Sequence, residues 1–489
     1  MGDILRKARL STQPADVLAF TSSIDVDEWI FESDIAVDRA HLVMLAEEGI
    51  ITGEVCSRIL LALDTIQDGG IGELPLEEDI HAAIESKLIG MVSEDLGGRM
   101  HTGRSRNDEV ATCIRLRLRD ELLRVMRELI SLRGILIAHA KVHIETLMPG
   151  YTHTQHAQPT TLAHHLLAHA GALGRDYGRL SDAYVRTNES PLGAAAFAGT
   201  GFQVNRARTC ELLGFDCIIE NSMDAVSARD FMIESASAFA NLMTNLSRIA
   251  AELVLWSSSE FDFVTIDDRY ASTSSIMPQK KNPDVAELIR GKTGSSVAAL
   301  VGILTITRAL PQSYNRDLQE ATPHLWSAVT CALASVRMTA GMIDTVTVHE
   351  ESLARQATTG FAMATELADA LVRRCGIPFR TAHQIVGTLA RMDAAPSLEM
   401  IDEISLSMIG RRLSGLGLDE QVISGALDPV AGIRAHVSGG PAPDDVARVI
   451  GIFENVLLND QIALDARCKH VSDAAEMLGC EVQVCKRVR

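Results

Sequence analysis

The sequence predicts an all-α fold of three helical domains arranged about a central bundle of long helices. Three observations carry this prediction. Apolar residues make up 47% of the 489-residue chain but aromatic residues only 4%, so the core is built mainly from Leu, Ile, Val, Ala and Met, a mixture that suits packed long helices better than sheets. No proline falls between Pro75 and Pro149, between Pro191 and Pro278, or between Pro323 and Pro378. Proline breaks helix interiors, so each gap admits a very long helix. Within the first gap, Val110, Ile114, Leu118, Leu122, Val125, Leu129, Leu132 and Leu136 recur at spacings of three and four, the helical period.

The elements follow in chain order. Residues 1–106 form an N-terminal helical domain, closed by Gly97, Gly98 and Gly103 ahead of the first long helix. Ser105 followed by Asp108 is an acidic form of the capping box and marks where that helix begins. The central domain spans 107–357. Its residues 231–256 are apolar or small on nearly every face, with Phe239, Leu242, Met243, Leu246, Ile249, Leu253 and Leu255. Such a helix must be covered all round, and an oligomeric bundle is the natural way to cover several of them. Prolines and glycines at Pro149, Gly150, Pro159, Pro191, Gly193, Pro278 and Pro283 separate the long helices, and polar residues collect at these breaks. From residue 358 the breakers come closer together, at Pro378, Pro396, Gly415, Gly417, Pro429 and Gly439 to Pro441. The expectation there is a third, smaller domain of shorter helices, 358–489.

Charge and cysteines narrow the function classes. The formal net charge is -19 and no Lys/Arg-rich run occurs, which argues against a nucleic-acid or membrane-surface role, because both need a basic face. An anionic substrate would need a locally basic pocket. The nine cysteines are scattered and contain no Cys-x-x-Cys, which points to a reducing compartment. The first ten residues are charged and poor in apolar residues, unlike a secretory leader, and residues 293–307 are too short to span a bilayer. A soluble cytoplasmic protein is expected.

Three segments carry chemistry. In residues 273–284, Asn282 suits an N-cap, Pro283 the first helical position and Asp284 the positive helix end. A loop with two hydroxyls, two ammonium groups and helix-end N–H donors fits a carboxylate, although a lysine-bearing surface loop reads equally well from these residues alone. Residues 149–159 crowd His153, Gln155, His156 and Gln158 into a short loop. His164, His165 and His169 follow, the last two one helical turn apart, but no Cys or acidic ligand lies near them in sequence and no H-E-x-x-H occurs, so no metal is expected. Residues 97–109 place Arg104, Arg106 and Asn107 in one turn, as an anion site would.

The segment Ser274-Ser275-Ile276-Met277-Pro278-Gln279-Lys280-Lys281-Asn282-Pro283 resembles the signature of the fumarase/aspartase superfamily, and its Gln279-Lys280-Lys281 form is similar to the argininosuccinate lyase branch. The other two segments resemble the remaining regions of that branch. So do Glu78 to His81, Asn221 to Phe231, Tyr314 to Glu320 and Gly360 to Gly387. The likeness covers nearly the whole chain in unchanged motif order. It implies reversible β-elimination of argininosuccinate to L-arginine and fumarate, in arginine biosynthesis, with neither metal nor organic cofactor. By this resemblance Ser274 is the base and Lys280 stabilises its alkoxide. Lys280 and Asn282 hold the carboxylate that takes up charge, and His153 pairs with Glu287 to tune a proton donor. Ser105, Arg106, Asn107 and Thr152 bind the succinyl carboxylates, while Arg229, Tyr314 and Gln319 hold the rest of the substrate. The resemblance also implies a homotetramer whose central helices form one bundle and whose active sites are shared between subunits.

The chain departs from the branch pattern at Thr273, Thr154 and His156. It also has Thr322 where many members carry a substrate-contacting lysine, and it lacks their Trp-Gly-Gly-Arg-Phe opening. Two rival readings stand beside the first: a lyase for another N-substituted aspartate, favoured by Thr322, and a structural protein that kept the fold, disfavoured by retention of Ser274, His153, Lys280, Asn282 and Glu287.

Overall fold

The computed structural model describes residues 13–392 and 395–487; the first ten residues, read above as unlike a leader, lie outside them. The fold is all-α. Each proline-free gap holds long helices: Arg106–Val142 and, between the gaps, Leu162–Thr187; Asp230–Trp256; and Ala321–Thr345, with Asp284–Thr307 before it. These five pack side by side. The Asp230–Trp256 helix touches Leu162–Thr187, Asp284–Thr307 and Ala321–Thr345, and Arg106–Val142 closes against Leu162–Thr187 and Ala321–Thr345.

The Arg106–Val142 helix runs 37 residues, about 55 Å at 1.5 Å per residue. It starts where the sequence indicates. Ser105 Oγ accepts from the Asn107 N–H at 3.3 Å, and Asp108 Oδ1 accepts from the Ser105 N–H at 2.9 Å, completing the capping box. Ile114, Leu118, Leu122, Val125, Leu129, Leu132 and Leu136 are buried on one stripe.

One apolar cluster runs through the N-terminal helices, the five long helices and the last helix of the chain. A second, separate cluster is built by residues of 361–427. Short two-stranded ribbons join the helices. Two of them present loops: Leu147–Thr152 pairs antiparallel with Gln155–Thr161, and Ser272–Thr273 pairs with Lys281–Asn282. Among the described residues no helix is long and apolar enough to cross a membrane.

Three expectations need correction. The helix after the Ser274 loop begins at Asp284, with Pro283 at the N-cap position and no side-chain cap. Asn282 is held in a strand pair with Ser272 instead, which ties down the base of the loop. Residues 231–256 bury most of their apolar surface within their own chain. The uncovered apolar face lies on the next helix, where Val297, Val301 and Leu304 are exposed. Finally, the C-terminal region contains more than short helices: Pro443–Lys486 is a 44-residue helix that packs back along Arg106–Val142. The proline argument held its signature, since Pro443 at the first turn is the last proline in the chain.

Candidate active site

A cavity of about 390 Å³ opens where the start of the Arg106–Val142 helix meets the segment before the Ile80–Val92 helix, the Arg229 corner and residues 314–323. Arg106, Asn107, Arg229, Tyr314 and Gln319 line it, as does Thr322. Arg106 is fixed by Asp79 at 2.9 Å. Asn107 donates to the Ala196 carbonyl at 3.0 Å and Gln319 to the Thr21 carbonyl at 3.2 Å. Arg229 donates to the Ala228 carbonyl at 2.8 Å. Burial pushes the Arg229 guanidinium down to about 10, against the opposing effect of Tyr314, and it remains a cation at neutral pH.

His81 also lines this cavity. Burial alone would neutralise it, but Asp34, at 2.9 Å from its Nδ1, and Glu109 outweigh that and push it up to about 10. Asp34 thus favours the charged form of the ring. Beneath it Arg104 bridges Asp38 at 2.7 Å and Glu109 at 2.8 Å. The guanidinium groups of Arg106 and Arg229 belong to residues lining the cavity. Cationic residues around a cavity are the complement of a carboxylate, and they supply the local basic site that an acidic protein needs.

The remaining site residues stand on two loops outside this cavity. Thr152 and His153 lie at the tip of the first ribbon, both exposed. His153 and Thr154 form its two-residue turn with φ of 54° and 57°, the left-handed geometry that a tight antiparallel turn demands. The second loop spans 274–280, closed by the Ser272–Thr273 ribbon. Ser274 Oγ accepts from the Ile276 and Met277 N–H groups at 3.3 and 3.1 Å, and the Ser274 N–H donates to the Lys280 carbonyl at 3.3 Å. Lys280 has no ion-pair partner among the described residues, whereas Lys281 is paired with Asp268 at 2.6 Å. Glu287 lies in the first turn of the Asp284–Thr307 helix and is exposed. One chain thus gathers Arg106, Asn107, Arg229, Tyr314 and Gln319, with Ser105 as the cap beneath them. It does not bring Ser274, Lys280 and Asn282, Thr152 and His153, or Glu287 to that cavity, and His153 and Glu287 form no ion pair among the described residues of one chain.

Residues 10–297 match the family described as lyase, and residues 361–434 match the one described as argininosuccinate lyase C-terminal. A curated argininosuccinate lyase from Methanosarcina acetivorans is 59% identical, over 94% of this chain and 95% of its own length. Another from Methanococcoides burtonii is 56% identical over 99% of both. The chain belongs to the argininosuccinate lyase family. The family lies in the fumarase/aspartase superfamily. Among solved structures, an EDDS lyase in complex with formate superposes with a TM-score of 0.87 at 33% identity, covering 94% of this chain and 93% of that one.

In this argininosuccinate lyase family chain, the cavity residue that sequence reasoning assigned no role is His81. Its segment, Glu78 to His81, was visible as part of the likeness, but only the fold shows that Asp34 keeps the ring charged. Arg316 was missed likewise; it lines the same cavity, held by Glu78 and by the Thr21 carbonyl.

Proposed function

We propose that the chain is an argininosuccinate lyase that eliminates arginine from argininosuccinate to leave fumarate, at sites completed by several copies of the chain. The activity follows from membership of the family, and the observation that carries it at the site is the cavity lined by Arg106, Arg229 and Arg316. The carbanion formed by removing a proton beside a carboxylate is an aci-carboxylate, effectively a dianion. Preorganised donors and cations are what lower the cost of such a charge.

Ser274 is the proposed base. Its Oγ already accepts two backbone N–H bonds, and the unpaired Lys280 ammonium stands on the same loop; both stabilise an alkoxide. Lys280 and Asn282 then hold the carboxylate that takes up charge. His153, tuned by Glu287, supplies the proton for the departing guanidinium nitrogen, and Ser105, Arg106, Asn107 and Thr152 hold the succinyl carboxylates. Arg229, Tyr314 and Gln319 hold the arginine part. No metal or cofactor takes part in these steps.

A homotetramer is proposed because the catalytic loops and the cavity lie apart in one chain, while Val297, Val301 and Leu304 leave an apolar face uncovered. The three-part division at 106/107 and 357/358 is kept as a reading of organisation, with the Pro443–Lys486 helix docked on the central part. A cytoplasmic location is supported by nine free cysteines.

The activity is tested by ultraviolet absorbance of fumarate when purified protein meets argininosuccinate with a chelator present. Fumarate with equal arginine is expected. A well-folded tetramer that yields none would point to another N-substituted aspartate, with Thr322 the first position to change.

A further inference from the structure

Three side chains away from the elimination machinery meet between two central helices. His165 and His169 stand one turn apart on the Leu162–Thr187 helix. Both Nε2 atoms lie against the same oxygen, Glu252 Oε2, at 2.8 and 2.6 Å. Glu252 comes from the last turns of the Asp230–Trp256 helix, and the three ligating atoms fall within 4.8 Å of one another. The His165 and Glu252 side chains keep 29% and 30% of their surface exposed, so the cluster is open to solution. The Trp256 ring closes one side, 5.0 Å from His165. His164 is committed elsewhere, to Thr160 Oγ1 and the Gly439 carbonyl.

We propose that His165, His169 and Glu252 form a binding site for a borderline divalent cation of the Zn²⁺ or Co²⁺ class, a clamp between two bundle helices distinct from the elimination site. Two imidazoles at i and i+4 on one helix face and a carboxylate from a second helix make three ligands, leaving a fourth position for water. Imidazole ligands favour Zn²⁺ and its neighbours over Mg²⁺ or Ca²⁺, which prefer oxygen.

On binding, each ring gives up the hydrogen bond at Nε2, and a proton it keeps sits on Nδ1. Metal–nitrogen bonds form at both Nε2 atoms and a metal–oxygen bond at Oε2, replacing the two Nε2···Oε2 contacts. Metal bonds of about 2.0–2.2 Å at tetrahedral angles set N and O roughly 3.3 Å apart. The cluster must therefore open by about half an ångström, a small movement for a partly exposed glutamate. The sequence expectation of no metal rested on the lack of a nearby acid; the fold brings one from 83 residues beyond His169.

The test is a Co²⁺ titration of the chelator-treated, assembled full-length protein, followed by the visible absorption of low-symmetry cobalt. One equivalent per chain is expected, with affinity weakened roughly tenfold or more by His165→Ala and by Glu252→Gln and unchanged by His164→Ala. Zn²⁺ should raise the Tm of the unmodified protein and not of His165→Gln, while fumarate release stays the same with Zn²⁺ or chelator. Cobalt that keeps its aqueous spectrum, or binds the two ligand variants as it binds the unmodified chain, would overturn the proposal without touching the elimination activity.

Discussion

At the scale of single residues, the account turns on Ser274 and His81. Ser274→Ala removes the acceptor of two loop N–H groups but no buried packing. It should assemble and melt like the parent, while turnover falls by about 10²–10⁴-fold or more; steady-state fumarate release beside a thermal melt checks both halves. His81→Ala leaves Asp34 buried without its partner, which costs about 3–5 kcal/mol. The same residue sets a pH signature. Its folded-state value, about 10, lies above the unfolded value near 6.5, so the folded chain binds the extra proton in that window. The stability it confers is complete below pH 6.5 and is lost as pH rises through 10. Urea unfolding at pH 6, 8 and 10 should show this decline in the parent and not in the variant. An equal slope in both would remove His81 as its source. The roles proposed for Ser274 and Lys280 rest on a motif, which the sequence can carry because loop chemistry is local. The charge on His81 was not legible there, because it comes from Asp34 and Glu109, 47 residues before and 28 residues after it in the chain.

At the scale of elements, helix periodicity and the cap at Ser105 were legible, while the start of the Asp284–Thr307 helix and the turns were not. The capping box at Ser105 and Asp108 was readable from four consecutive residues. Ser105→Ala should cost about 1 kcal/mol, read as a lowered denaturation midpoint, and should weaken catalysis because Arg106 and Asn107 ride on that first turn. The ribbon that carries His153 was expected as an irregular loop, since its pairing depends on Leu147–Thr152 meeting Gln155–Thr161 across a two-residue turn. Thr154, a β-branched residue at φ 57°, is unfavourable in the left-handed region by about 1 kcal/mol. Thr154→Asn, at an exposed site, should therefore raise the melting temperature with fumarate release retained; a lower one would show that the Thr154 hydroxyl bond to the His153 carbonyl matters more than the strain. The Pro443–Lys486 helix was hidden by nearby breakers, although the absence of later prolines announced it.

At the scale of the whole molecule, the long-helix bundle was legible because prolines and apolar spacing act along the chain. The location of the uncovered face was not: apolar composition does not say which neighbour covers which helix, and the face moved from residues 231–256 to Val297, Val301 and Leu304. Val301→Glu places a charge there and should dissociate the assembly, seen by light scattering, with loss of activity and intact helical circular dichroism. The central claim is that one copy supplies the cavity and others supply the catalytic loops. The measurement that tests it most directly is fumarate release from an equimolar, co-refolded mixture of Ser274→Ala and Arg106→Ala chains. Each variant alone should be nearly silent, and the mixture should recover about one quarter of the parent activity, the share of sites that draw an intact loop and an intact cavity from different subunits. A mixture that forms hybrid tetramers and stays as silent as its parts would contradict the account.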